Sequence, residues 1–146
     1  MELAERLRGP LVTIDFVRRY RSLAAAARGA EPYLSAYDSA AVVALLRELG
    51  RVARYDRRES FFKIVEEVAG FRFQLNISIK YGIVELIWDV LEGGQRLSLG
   101  GPWGLVCALI DENVGRIPPP NFRSYEELRA IVREALTFTM TSRASS

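Results

Sequence analysis

Over residues 71–80 the chain alternates without a break: Phe71, Phe73, Leu75, Ile77 and Ile79 hold the odd positions, and Arg72, Gln74, Asn76, Ser78 and Lys80 the even ones. A period of two marks a strand with one dry and one wet face, because successive side chains point to opposite sides of the pleat. With Tyr81-Gly82 as a two-residue turn, antiparallel pairing sets Ile79 opposite Val84, Ile77 opposite Leu86, Leu75 opposite Trp88 and Phe73 opposite Val90. Every pair is apolar. The reverse face carries Ser78 with Glu85, Asn76 with Ile87 and Gln74 with Asp89. A slip of one residue scrambles both sets, so two patterns fix one register.

The dry face extends to both sides. Gly93-Gly94 predicts a second tight turn, after which Leu97 falls opposite Val90 and Leu99 opposite Trp88. Upstream, residues 61–68 predict a fourth strand returning through Ala69-Gly70. That return sets Ile64 against Leu75 but also Glu66 against Phe73, so an edge strand with a bulge, or a helical segment, is expected. Residues 51–60 hold Arg51, Arg54, Arg57, Arg58 and Tyr55 and read as a loop. The loop is either a solvated connector, its charge half offset by Asp56 and Glu59, or a grip on phosphate or an acidic partner.

Helices must cover the dry face, since each large apolar side chain left in water forgoes about 1.5–3 kcal/mol. In residues 13–28, Phe16, Val17, Tyr20, Leu23, Ala24 and Ala27 recur at steps of three and four, with Gly29 as the stop. A second helix is expected from Ser35 or Asp38 through Tyr37, Ala41, Leu45 and Leu49 to Gly50. Pro102 suits the start of a short helix with Trp103, Val106 and Ile110 on one face; Trp103 either plugs the core, the expected role, or sits at a rim. After the stiff Pro118-Pro119-Pro120 spacer, Ser124-Tyr125-Glu126-Glu127 has the form of a capping box opening a last helix. The expectation is a single α+β domain: helical part about 11–50, a three- to four-stranded antiparallel β-meander about 61–99, and a C-terminal helix about 124–140, with the helices on one face.

Composition narrows the chemistry. The chain has 146 residues with no histidine, which removes His-based triads and the usual zinc sites, and its one cysteine, Cys107, sits in an apolar run that suits an inert buried thiol. The carboxylate neighbours Glu66-Glu67, Asp111-Glu112 and Glu126-Glu127 make poor acid/base pairs. The glycines at 93–94 and 100–104 match neither a P-loop nor a dinucleotide fingerprint. No catalytic residue, metal ligand or cofactor is therefore assigned. A net charge of +2 from 20 basic and 18 acidic residues is far from that of a dedicated nucleic-acid binder. No apolar run reaches a membrane span, and the first residues carry acids unlike a secretory signal, so a cytoplasmic protein is expected.

The segments 63–67, 71–86, Leu99-Gly100-Gly101-Pro102-Trp103 and 120–128 together resemble bacterial polymorphic-toxin immunity proteins, over residues 60–140. The resemblance implies a non-enzymatic cytoplasmic protein, without cofactor, that binds and occludes the catalytic domain of a cognate secreted toxin. The wet face of the sheet is the expected contact surface, through Arg72, Gln74, Asn76, Glu85 and Asp89 with Ile87 as its apolar island. Against a toxin with a basic cleft, Glu85, Asp89 and Glu92 would act by electrostatic steering. The alternative is a homo-oligomeric scaffold or a small-ligand-binding domain using the same face or a pocket behind it. Neither a membrane nor a nucleic acid is an expected partner.

Overall fold

In the computed structural model, which describes residues 8–9, 11–12, 14–27, 33–34, 37–68, 71–96 and 101–145, the central hairpin has the register set by its alternation. Strands β3 (Phe71–Lys80) and β4 (Ile83–Glu92) pair Ile79 with Val84, Ile77 with Leu86, Leu75 with Trp88 and Phe73 with Val90. Tyr81 and Gly82 both have positive φ, 54° and 76°, as a two-residue hairpin turn with the native twist requires. Gly82 is required twice over. A Cβ there would collide with Tyr33 Cβ and stand 3.2 Å from the Phe122 carbonyl oxygen.

Strand β2 (Phe61–Val68) pairs along its whole length with β3, with no bulge: Ile64 faces Leu75 and Glu66 faces Phe73. It is not the edge, because β1 (Ala53–Asp56) lies outside it, pairing Ala53 with Ile64 and Tyr55 with Phe62. The segment 51–60 is thus in part a strand rather than a loop. Ala53 and Tyr55 face inward with Ile64 and Phe62, which gives the segment its own short alternation. The awkward Glu66 is accommodated by an ion pair with Arg51, just ahead of β1.

On the far side β5 (Gln95–Arg96) follows the Gly93-Gly94 turn as expected, with Leu91 opposite Arg96. Trp88, however, pairs with Gly101 of β6 (Gly101–Pro102) and not with Leu99. The register between Arg96 and Gly101 has advanced by two residues; Leu97, Leu99 and the Ala69-Gly70 turn lie outside the described residues. A glycine suits this place, since its φ of 139° is closed to other residues and the chain turns at once into a helix. The sheet order is β1-β2-β3-β4-β5, antiparallel throughout, with β6 also on β4.

Helices α1 (Phe16–Ala26), α2 (Ser39–Glu48), α3 (Trp103–Ile110) and α4 (Tyr125–Ser145) supply the cover. The Asp38 carboxylate accepts from the Ala40 amide at 3.1 Å and caps α2; Ser35 and Gly29 lie outside the described residues. At α4 the Ser124 hydroxyl accepts from the Glu127 amide at 3.2 Å, while the Glu127 carboxylate accepts from the Arg123 amide at 3.0 Å, one residue earlier than a capping box would have it. Trp103 is fully buried, with ring centroids 4.6 Å from Trp88, 5.2 Å from Phe16, 5.6 Å from Phe138 and 5.7 Å from Tyr20. This settles it as a core residue. Aromatic pairs of this kind add about 0.5–1.5 kcal/mol each beyond the area they bury. The result is an α+β fold with two N-terminal helices and a C-terminal helix on one side of an antiparallel meander, extended by β1 and β6 beyond the expected strands. No helix among the described residues is long and apolar enough to cross a membrane.

Candidate functional site

The hairpin register decides which side chains share the face turned away from the core. Cross-strand partners stand on the same side, so Arg72, Gln74 and Asn76 of β3 join Glu85, Ile87 and Asp89 of β4, with Gln74 opposite Asp89, Asn76 opposite Ile87 and Ser78 opposite Glu85. Glu92 does not belong with them. It pairs with Phe71, in the row of Phe73 and Val90, and strand alternation places it on the helix-side face.

Neighbouring strands enlarge the surface beyond the residues expected to form it. β2 adds Phe61, Lys63, Val65 and Glu67, β1 adds Arg54 beside Lys63, and β6 lays Pro102 beside Ile87. The β1 contribution was hidden by the charge of residues 51–60, although the alternation of Ala53 and Tyr55 with Arg54 and Asp56 carried the signal. Among the described residues, no hydrogen bond, ion pair or ring contact joins a helix side chain to this face.

The face is tied together laterally. Gln74 Nε2 donates to Asn76 Oδ1 at 2.9 Å, and Asn76 is buried at the centre with 7% of its surface exposed. Arg96 pairs with Asp89 at 2.9 Å, and Lys63 pairs with Asp56 at 2.9 Å while lying over the Phe61 ring. The Lys63 ammonium, helped by the Glu59 and Arg58 amides, holds the Asp56 carboxyl below the usual carboxylate range. Glu85 goes the other way: burial raises its pKa against the pull of Arg116. Two of the acids are therefore already matched to cations, and a third resists ionisation.

Several of the groups weighed for chemistry occupy structural places, while Asp111, Glu112 and Glu126 are exposed. The Cys107 thiol is fully buried, and burial pushes its pKa up to about 12. Glu66 points into the helix side and pairs with Arg51, Glu67 stands on the opposite face, and Glu127 caps α4. Directly behind the sheet, a cavity lined by Ile64, Phe73, Leu75, Trp88 and Leu136 holds only about 10 Å³, while larger open grooves of about 800 and 550 Å³ run along α4, beside α2 and α1 respectively. No group of His, Cys, Asp and Glu among the described residues could hold a metal ion. No protein-family model, curated protein or solved structure matches the chain.

Proposed function

We propose that the protein is an immunity-type inhibitor that binds the catalytic domain of a cognate secreted bacterial toxin in the cytoplasm of the producing cell and occludes it. The observation that carries this reading is the asymmetry of the sheet: one face is sealed under an aromatic core, and the other carries mainly polar, partly exposed side chains. From a strand spacing of about 4.8 Å and a rise of about 3.3 Å per residue, the six described strands cover roughly 570 Å². One partner gives roughly 800 Å² to a stable protein complex, so the face would supply most of the contact and its bordering turns the rest. Rigid strands and lateral side-chain contacts keep the ordering cost of docking low. Inhibition by occlusion needs complementarity of shape and charge and no activated nucleophile, in keeping with the structural places that Cys107, Glu66 and Glu127 occupy.

The test is to mix the protein with the toxin domain encoded by the neighbouring gene. Light scattering should give a one-to-one complex, and the toxin's activity should fall in proportion to complex formed. A stable homo-oligomer that leaves the toxin active would favour the scaffold reading instead.

A further inference from the structure

Charge on the open face is uneven. The β1–β2 turn at residues 57–60 and the β3–β4 turn at Tyr81-Gly82 lie at the same end of the sheet, because Phe61 pairs with both Asp56 and Ser78. Around this end stand Arg54, Arg57, Arg58 and Lys80, all exposed, and none forms a salt bridge with a described residue. The nearby Asp56 is already engaged. Its carboxylate takes Lys63 at 2.9 Å and the amides of Arg58 and Glu59 at 2.9 and 3.1 Å, which also fixes the shape of the arginine turn. Elsewhere on the face Asp89 is matched by Arg96, and Arg72 stands opposite Glu67.

Tyr81 marks the same end. It is 78% exposed and held at a φ of 54°, a left-handed conformation that disfavours a bulky side chain. That conformation is set by the two-residue hairpin turn, which leaves the ring in solvent. An exposed tyrosine at the same end as exposed arginines matches the residue types enriched in binding hot spots.

We infer that the partner meets the turn end of the sheet with an acidic protein surface, whose carboxylates are received by Arg54, Arg57, Arg58 and Lys80 around Tyr81. This rests on the docking function proposed above, and its sign is opposite to steering by Glu85 and Asp89. A protein surface fits better than a nucleic acid. Asp56 and Glu59 interrupt the cations, and so few charges would neutralise few phosphates.

Two arms test this. In the first, association of the neighbouring-gene toxin domain is timed at low and high salt with Arg54→Glu/Arg57→Glu/Arg58→Glu, and with Arg133→Glu on α4 as a control of like charge. The triple variant should associate at least about tenfold more slowly at low salt and lose most of its salt dependence, with the control unchanged. Equal rates for triple variant and wild type overturn the inference. Should the triple variant fail to fold, Lys80→Glu gives the same readout. Absence of any binding by the wild type counts against the inhibitor reading alone, and the second arm then decides. Isotope-labelled protein is titrated with a hexaglutamate peptide and, separately, with a twelve-base-pair DNA duplex. Peptide-induced shifts confined to Arg54, Arg57, Arg58, Lys80 and Tyr81 are expected. Shifts shared equally with Arg129 and Arg133, or a stronger response to the duplex, overturn it.

Discussion

Arg51 and Glu66 meet as an ion pair at the rim of the helix-covered face, with side chains only 14% and 12% exposed. The pair lets a carboxylate stand in the row of Phe73 and Val90, and it anchors the chain where it enters β1. Removing one partner leaves a poorly solvated charge, so Arg51→Ala should destabilise by about 3 kcal/mol. Arg51→Met with Glu66→Leu should recover most of that loss. Urea unfolding of Arg51→Met, Glu66→Leu and the double closes the cycle; additive losses would show that the pair does not act as a unit.

Gly82→Ala should be far worse than Gly94→Ala. Both glycines have positive φ, at 76° and 82°, so both substitutions carry a backbone penalty of about 1 kcal/mol. Gly82 alone has Tyr33 and Phe122 in the way, whereas nothing lies within 4 Å of a Cβ at Gly94. The difference between their thermal midpoints measures the packing of the hairpin tip, and equal midpoints would contradict it.

The Cys107 thiol should be silent in the folded protein. With its pKa pushed up to about 12, about one thiol in ten thousand is ionised at pH 8. Labelling by an aromatic disulfide should follow urea unfolding. Rapid labelling of the native state would show that α3 does not seal the thiol.

Glu85→Gln should stabilise the protein at neutral pH. Burial raises the folded pKa of Glu85, so the unfolded chain loses this proton first, and stability falls as pH rises from the ordinary glutamate range through the folded value. Glutamine has no such loss. The advantage of the variant in urea melts should be present at pH 7 and shrink at pH 4; a less stable variant at pH 7 would mean that the attraction to Arg116 outweighs burial.

Most of the central fold was legible because two alternations had to agree. The ten-residue strands of the hairpin left one register, and Trp88 and Leu75 are opposite each other as that register demands. What escaped was set by contacts outside a local pattern. β1 is only four residues long and its arginines disguised an inward Ala53 and Tyr55. Glu66 looked like a break in the apolar face because its counter-ion, Arg51, is brought to it only by β1. Glu92 was grouped with Glu85 and Asp89 by charge, while parity puts it on the other side. The pairing of Gly101 with Trp88 depends on two residues gained after Arg96, which no turn residue announced.

The docking face is tested most directly by placing charge at its apolar points. Ile87 is half-buried on that face and Val65, 39% exposed, stands on the same face across β3, so Ile87→Glu and Val65→Glu alter this side without touching the aromatic core. Isothermal titration of the neighbouring-gene toxin domain into these variants, with folding checked by near-ultraviolet circular dichroism, gives the answer. A loss of affinity of at least about tenfold for each variant is expected, with Arg133→Glu on the helix side unchanged. Folded variants that bind as tightly as the wild type would contradict docking through this face.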